Sequence, residues 1–372
     1  MTSPTLARPG AVPATGADAG VAWHYGDPVA EQRAIEDGRA VADQSHLGIV
    51  TVSGPERLTW LNSLCSQETA TLAPGVSTEV MILSPQGRIE LVAGAIDDGT
   101  TAWLISETAR ALAEHLTRMR FMVEVEVADV GDQWAAIGST SADPAGELTW
   151  NDPWPGIAAG GTSYSGTSHP AENRAWYLTL VPRSDVDARL DARVAAGATL
   201  VGAWATEATR IAARRPRAIL DADVNALPHE LDWLRTAVHL DKGCYRGQET
   251  VAKVHNVGRP PRRLTLLHLD GSEHELPDVG AEVKADGKVV GTLTSVARHH
   301  ELGPIGLGLI KRITAADAAL TVTSDGAEVA ASQEIIVDPA GESIDRPAAP
   351  GPTARGLLMG KGCAADGGDL DG

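Results

Sequence analysis

The stretch 241–263, DKGCYRGQETVAKVHNVGRPPRR, joins a glycine-containing turn to a run of basic residues. Its first part, 242–249, follows the pattern K-G-C-Y-x-G-Q-E. Gly243 and Gly247 flank a cysteine–tyrosine pair, so the backbone can turn tightly there and approach a ligand closely. Gln248 and Glu249 begin a predicted helix, because an acid in the first helical turn suits the helix dipole. The pattern therefore predicts a ligand-binding turn directly ahead of a helix.

Cys244 is the candidate functional thiol of this turn. It lies just before the predicted helix and has Lys242 and Arg246 as close neighbours in the sequence. A helix N-terminus and nearby cations favour the thiolate over the thiol. The alternative is a cysteine that only packs under the turn, since free cysteine is often buried.

The same stretch is basic within an acidic protein. The whole chain carries a formal charge of −18, whereas residues 242–263 contain six cations and one acid. A local reversal of sign suits an anionic ligand, because it focuses potential where the overall field repels. The alternative is a solvated basic face. The cations are Lys242, Arg246, Lys253, Arg259, Arg262 and Arg263, and the acid is Glu249.

Length and composition limit the class of protein. The 372 residues allow two or three domains. No stretch reaches the roughly 18 apolar residues of a membrane span, and the N-terminus lacks the apolar segment of a signal peptide. Cys65, Cys244 and Cys363 are far apart and odd in number, which argues against a disulfide framework or a zinc site. These features fit a reducing cytoplasm, and Cys65 is predicted to be a packing residue of the core. The excess of acidic residues argues against broad nucleic-acid or membrane binding.

The order of the elements predicts an α+β fold. Residues 21–260 alternate helices with hairpin strands and form a body of two loosely similar strand–helix units, with an extended loop or insertion at about 138–173. Short, regularly spaced strands with glycine turns predict a small antiparallel barrel over 261–337. Residues 1–20 and 338–372, the latter containing Cys363, are unpatterned and are predicted to be disordered tails.

Neither a metal site nor a nucleotide site is predicted. His299 and His300 are expected on a solvent-exposed loop, and adjacent side chains of a strand diverge and cannot easily chelate one ion. No glycine-rich phosphate motif follows a predicted strand, so the sequence does not support a nucleotide cofactor.

The K-G-C-Y-x-G-Q-E pattern, followed by a basic stretch that contains proline, resembles the YgfZ family. These proteins are tetrahydrofolate-binding relatives of the glycine-cleavage T-protein, an aminomethyltransferase, and they act in the assembly or repair of iron–sulfur clusters. Weaker similarity extends from about Val21 to Leu320. The resemblance implies a folate-binding body with a C-terminal barrel, tetrahydrofolate or another reduced folate as cofactor, and iron–sulfur client or assembly proteins as partners.

A second motif of these relatives is only partly retained. Where they read R-x-E-A-G-x-P, Arg210, Ala213 and Pro216 of this chain fit the pattern. Ala212 stands where an acid is expected, and Arg214 replaces the glycine.

The acid that follows this motif, Glu230, is retained. A carboxylate suits a pterin ring because it can accept two N–H donors side by side; the alternative is a carboxylate on the surface. The implied folate-binding residues are Arg210, Glu230, Gly243, Tyr245, Gly247, Lys253 and Arg259, of which the last two would face the anionic glutamate tail. The implied functional group around the thiol comprises Lys242, Cys244, Gln248 and Glu249.

Three functions compete on this sequence. The favoured hypothesis is a folate-binding factor for iron–sulfur assembly that uses Cys244, with any cluster shared with a partner, since such clusters usually need four ligands. The first alternative is a tetrahydrofolate-dependent aminomethyltransferase. That reaction uses an acidic pair in the T-protein, and here only Glu90 followed by Leu91 stands at that place. The second alternative, a tRNA-binding module, rests on the basic run alone and predicts weak, salt-sensitive binding.

Overall fold

The structure, a computed structural model, describes residues 3–142, 147–165, 169–172, 174–272 and 276–347. The first elements are β1 (Val12–Pro13), β2 (Ala22–His24), α1 (Pro28–Glu36), β3 (Ala40–Asp43), β4 (Gly48–Ser53), α2 (Arg57–Leu64), β5 (Ser77–Leu83), β6 (Ile89–Asp97), β7 (Thr101–Ser106), α3 (Ala109–Met119) and β8 (Glu126–Asp129). They are followed by β9 (Trp134–Ser139), β10 (Thr149–Asn151), β11 (Tyr177–Pro182), α4 (Val186–Ala195), β12 (Thr199–Val201), α5 (Ala203–Ala212), α6 (Ala218–Asp221) and α7 (Gln248–Asn256). The last strands are β13 (Arg262–Leu269), β14 (Glu282–Ala285), β15 (Lys288–His299), β16 (Gly303–Lys311), β17 (Leu320–Ser324) and β18 (Ala327–Ile335).

Two five-stranded sheets form the body. Their strand orders are β5-β6-β7-β4-β8 and β10-β11-β9-β3-β12, and all pairs are antiparallel except β12 with β3. The six final strands close into an antiparallel barrel in the order β13-β16-β15-β14-β17-β18. The predicted α+β fold, with two strand–helix halves and a C-terminal barrel, is confirmed.

Each sheet buries one face against a helix. Leu112 and Leu116 of α3 pack on Val50 and Leu104 of the first sheet. Leu190 of α4 packs on Val41 and Ile137 of the second sheet, and α1 covers another part of that sheet. Such apolar spacing along a helix produces a continuous stripe toward the core. The faces not covered in this way turn toward the centre of the body.

The prediction of a disordered N-terminal tail is wrong for residues 3–20. Ser3 and Thr5 are buried, and both hydroxyls donate to the carboxylate of Asp43 in β3. β1 pairs with β2, and Arg8 forms an ion pair with Asp191 at 2.9 Å. These residues are held by hydrogen bonds and ion pairs to distant parts of the chain, which a tail without an apolar pattern does not reveal.

The segment 138–173 is not a surface loop where the structure describes it. It contributes β10 to the second sheet and buries Trp154 and Tyr164 completely or nearly so. The Trp154 indole N–H donates to the carbonyl of Ala213 at 3.0 Å. Polar composition predicted a loop here, but a few aromatic anchors hold the segment in the core.

The C-terminal tail is likewise ordered over residues 338–347, and the remainder of the predicted tail, with Cys363, lies outside the described residues. Asp338 donates its backbone N–H to Tyr164, and the Arg346 guanidinium donates to the carbonyl of Gly258. Ser343 is buried beside His255 of α7. This segment therefore covers the end of α7 instead of leaving the body.

The side chains of His299 and His300 are buried, contrary to the prediction of a solvent-exposed loop. His299 is the last residue of β15 and His300 follows it, and their side chains are 5% and 3% exposed. His300 Nε2 contacts the Glu36 carboxylate of α1 at 2.7 Å, and Gln32 of α1 bonds to the backbone of Arg298 and His300. The packing of α1 against the barrel excludes solvent here, which local sequence could not predict. Among the described residues, no helix combines the length and apolar character needed to span a bilayer.

Candidate functional site

A cavity of about 180 Å³ lies at the centre of the body, between the two sheets and the residues that follow α5. Three tryptophan side chains, Trp150, Trp176 and Trp233, form part of its wall. The Trp150 indole donates to Thr78 and so joins the two sheets beside the cavity. Aromatic walls with a few polar groups are typical of a site for a planar ligand.

Arginine–carboxylate pairs line the rest of this cavity. Arg215 bonds to Glu79 at 2.6 Å and its guanidinium lies 5.1 Å from the ring centroid of Trp154. Burial opposes the charge of Arg215, but Asp152 and Glu79 outweigh it and raise its pKa. Arg217 joins Asp18 at 3.1 Å and Glu207 at 2.7 Å. The charges are therefore held in fixed places by their partners.

Arg210 connects the cavity to the barrel. Its guanidinium donates to Glu207 and Asp221 in the body and to the Ser295 hydroxyl of β15 at 2.8 Å. Asp221 also accepts from the hydroxyls of Thr294 and Ser295, at 2.6 and 2.7 Å. The wall of the cavity and one barrel strand thus share a single hydrogen-bond network.

Two buried polar atoms in the cavity wall have no hydrogen-bond partner within the described structure. They are Nδ1 of His46 and Nε of Arg174. Arg174 is held by Asp152 at 3.1 Å through another nitrogen. Buried polar atoms are nearly always paired, so a ligand or ordered water is expected to supply the partners of these two.

Of the predicted site residues, Arg210 alone lines this cavity. Glu230 is completely buried, but its carboxylate accepts from the backbone N–H of Leu227 and from the guanidinium of Arg262, 2.8 Å away. Both carboxylate oxygens are used in joining the 228–231 turn to the first barrel strand. Glu230 therefore fastens the barrel to the body, and its acceptors do not face the cavity.

Lys242 also has a structural role. Its ammonium group donates to the carbonyls of Asn62, Cys65 and Gln67 at 2.7–2.8 Å and lies 5.4 Å from the ring centroid of Tyr245. Burial lowers the pKa of this lysine. Lys242 thus closes the end of α2, and the buried Tyr245 packs beside it.

The remainder of the glycine-rich turn forms a structural joint with an exposed tip. Gly247 has φ of +86°, and a Cβ there would lie 2.5 Å from the carbonyl oxygen of Ser84. Gln248 donates its side-chain amide to the carbonyl of Lys242. Gly243 and Cys244 are exposed, as is Glu249 in the first turn of α7. The predicted thiol group is therefore separate from the cavity.

The cysteines differ in their state. Cys244 is disulfide-bonded in this structure. Cys65 is a buried free cysteine, and burial raises the pKa of its thiol. Burial of this thiol fits the prediction that Cys65 is a packing residue.

The basic run does not form one cationic surface. Arg246 pairs with Glu90 at 3.1 Å, and Arg259 pairs with Glu342. Arg262 holds Asp223 and Glu230. Arg263 is completely buried at the end of the barrel, where burial lowers its pKa to about 10. Lys253 is exposed, and no carboxylate pairs with it among the described residues.

Sequence reasoning missed most of the cavity residues. The run of arginines after α5, of which Arg215 and Arg217 face the cavity, was the signal that could have found them. Closely spaced arginines at the end of a buried helix need carboxylate partners. His46, Glu79 and Arg174 carry no comparable local signal, because only the tertiary fold brings them together.

Comparisons with known proteins agree with this architecture. Residues 5–140 match the GCVT N-terminal domain, and residues 262–342 match the glycine cleavage T-protein C-terminal barrel domain. The two matches together cover more than half of the chain.

Individual relatives extend the similarity across the chain. A chloroplastic "putative transferase" of Arabidopsis thaliana is 28% identical over 307 residues, which cover 78% of this chain and 69% of the relative. The aminomethyltransferase of Streptomyces coelicolor is 25% identical over 307 residues, covering 77% and 82%. The crystal structure of aminomethyltransferase T of the glycine cleavage system from Bartonella henselae has the same fold, with a TM-score of 0.70 at 15% identity over 88% of this chain and 93% of that one. With both characteristic domains in the expected order, the chain belongs to the GCVT family of glycine cleavage T-protein relatives.

Proposed function

We propose that this chain binds a reduced folate, with the pterin ring in the central cavity, and acts as a folate-dependent transferase of the aminomethyltransferase class. The observation that carries the proposal is the cavity of a GCVT-family chain, which is walled by tryptophans. Two of its lining residues, His46 and Arg174, each have a buried polar atom without a partner among the described residues. The names of its relatives favour transfer chemistry over other folate-linked functions.

The cavity fits one ring system and not a whole folate. Its volume of about 180 Å³ is below the roughly 300 Å³ of pockets that enclose a drug-sized ligand. The tryptophans would contact the faces and edges of the ring, and the Arg174 Nε–H would donate to a ring acceptor. A bound tetrahydrofolate supplies the nitrogen that carries the one-carbon unit. The glutamate tail would then extend outside, where the exposed Lys253 and Arg259 remain candidates to contact it.

Titration with tetrahydrofolate, 5-formyl-tetrahydrofolate and folic acid tests the binding step. We expect a change in tryptophan fluorescence and a calorimetric heat with the reduced forms, because Trp150, Trp176 and Trp233 line the cavity. Arg174→Met should weaken the binding of every reduced form. Lys253→Met should weaken the binding of tetrahydrofolate but not of a tetrahydropterin that lacks the glutamate tail. Absence of heat with every reduced folate at high micromolar protein would refute the proposal.

Two carboxylates, Glu90 and Glu107, are compared as candidates for the general acid–base of the transfer reaction. Glu90 does not line the cavity and is 37% exposed in its pair with Arg246. Glu107 does line it and is held by Arg217. If transfer of an aminomethyl group from a lipoyl carrier occurs, Glu107→Gln should lower its rate by about 10²–10⁴-fold, the usual loss for a general acid–base, while Glu90→Gln should not. Failure to detect transfer with folate bound would leave a folate-binding protein without this activity.

The second candidate is the folate-binding factor for iron–sulfur assembly. It is favoured by one observation, the exposed turn at Gly243-Cys244, which lies apart from the cavity. In a cell that lacks its own copy, Cys244→Ser should keep the fold and folate binding but lose support of iron–sulfur enzymes. After mild reduction, Cys244 should react with an alkylating agent before the buried Cys65. Full complementation by Cys244→Ser would mean that the cysteine is not needed for this function.

A further inference from the structure

His46 lies at the point where the chain crosses from one sheet to the other. Residues 44–47 form a tight turn between β3 and β4, closed by the bond from Leu47 N–H to the Gln44 carbonyl. The Ser45 N–H donates to Asp43, and the Ser45 carbonyl accepts from Arg183 at 2.9 Å. The backbone on both sides of His46 is thus fixed, which is what a precisely placed ligand contact requires.

The two ring nitrogens of His46 have different surroundings. Nε2 lies 3.4 Å from Oδ1 of Asp18, in a contact where the side chains are 7% and 11% exposed. A carboxylate only accepts, so the proton of this contact is on Nε2. Nδ1 is buried in the cavity wall and has no partner among the described residues. In the neutral ring, Nδ1 therefore keeps an unused lone pair, on a residue that lines the cavity.

Asp18 is itself held in place. Arg217 donates to both of its oxygens, at 3.1 and 3.4 Å, and Arg217 is also bound by Glu107 and Glu207. Asp18 comes from the ordered N-terminal segment, so this segment completes one wall of the cavity. In many proteins a carboxylate contacts one nitrogen of a histidine and so orients the ring, which leaves the other nitrogen available to a ligand.

We propose that His46 is the hydrogen-bond acceptor of the cavity and that its Nδ1 accepts a ring N–H of the bound heterocycle, with Asp18 as the positioning residue. This inference rests on the proposed function, since it names the reduced folate as the ligand. It adds a specificity determinant: the site selects rings that present an N–H at this edge. No donor of the protein competes for Nδ1 within the described structure.

Two substitutions separate the ligand contact from a structural role. In His46→Gln the side-chain amide reaches the Nε2 position, so the contact with Asp18 is kept and the Nδ1 acceptor is lost. In His46→Asn the amide reaches the Nδ1 position, so the acceptor is kept and the contact with Asp18 is lost. Calorimetric titration of both variants and the wild type with tetrahydrofolate, together with their melting temperatures, gives the result.

We expect His46→Gln to melt near the wild type but to bind tetrahydrofolate about 3- to 10-fold more weakly, which corresponds to one hydrogen bond. His46→Asn should melt lower and bind within about 2-fold of the wild type. On adding tetrahydrofolate to the wild type, the ¹⁵N resonance of His46 Nδ1 should move.

The opposite order of affinities, or equal affinities for the two variants, would overturn the inference, as would an unmoved Nδ1 resonance. In each of these cases the wild type still binds tetrahydrofolate. The result would therefore overturn the role of His46 and leave the proposed function standing. If the wild type binds no reduced folate, the proposed function fails first and the inference falls with it.

Discussion

At the scale of single residues, Lys242 shows how a functional motif can be structural. Its ammonium group satisfies three carbonyls of the 62–67 segment. Lys242→Met should lower the free energy of unfolding by about 2–4 kcal/mol, because buried carbonyls lose their donor. Urea unfolding measures this, with the exposed Lys253→Met as the matched control, which should change stability by less than about 0.5 kcal/mol. Equal stabilities would mean that water replaces the ammonium group.

His229 should make stability fall on acidification. It is completely buried, its Nε2 donates to the Val251 carbonyl, and burial lowers its pKa to about 3. An unfolded histidine titrates near about 6.5, so between these values the unfolded state binds one more proton than the folded state. The free energy of unfolding should therefore fall as pH drops below about 6.5, by at most about 1.4 kcal/mol per pH unit from this residue.

The matched variant is His229→Gln, which keeps a donor to Val251 and removes the titration. Its free energy of unfolding, measured in urea between pH 7 and pH 4.5, should fall less steeply than that of the wild type. The buried His169, whose pKa burial also lowers to about 3, should supply part of the remaining slope. Parallel curves for variant and wild type would contradict the assignment to His229.

Residue types alone could not assign these roles. Glu230 and Lys242 matched a familiar motif, but their charges are used within the fold by Arg262 and by the end of α2. Arg210 was predicted from the sequence and does line the cavity. His46 was missed because an isolated histidine after a strand gives no signal until its partner, Asp18, is seen beside it.

At the scale of elements, Gly247 fixes the start of α7 on the turn between β5 and β6. Gly247→Ala combines a positive φ with a contact of 2.5 Å to Ser84, so it should destabilise the protein by about 2–4 kcal/mol. Gly280→Ala is the control, since Gly280 has φ of +92° but open space around it, and should cost about 1 kcal/mol. Thermal unfolding of the two variants separates steric contact from backbone strain; equal shifts would show that only strain matters.

Local patterns predicted the elements that depend on neighbours in sequence. The predicted hairpin strands of the body include those joined by the turns Pro85-Gln86-Gly87 and Asp97-Asp98-Gly99. Turn chemistry and alternation suffice to specify such hairpins. The short strand β10 and the 3-10 turns of residues 4–7 and 16–18 were not predicted. These elements depend on contacts with residues far away in the chain, such as Asp43 and Arg217.

At the scale of the whole molecule, the N-terminal segment belongs to the body. Removing residues 1–20 should lower the melting temperature by several degrees, because it exposes Asp43 and Arg217 and opens the cavity wall at Asp18. Folate affinity should fall in parallel. Differential scanning calorimetry of the truncated and full chains checks this. An unchanged melting temperature would restore the description of the segment as a tail.

The network through Arg210 has a consequence for how the molecule moves. The Arg210 guanidinium lines the cavity and bonds to Asp221 and to Ser295 of β15. A ligand that reduces the motion of Arg210 in the cavity should therefore also reduce the motion of β15. Such linkage means that body and barrel should open together on the timescale of native-state exchange. A small ring bound in the body would then slow deuterium uptake along β15, a strand that it never touches.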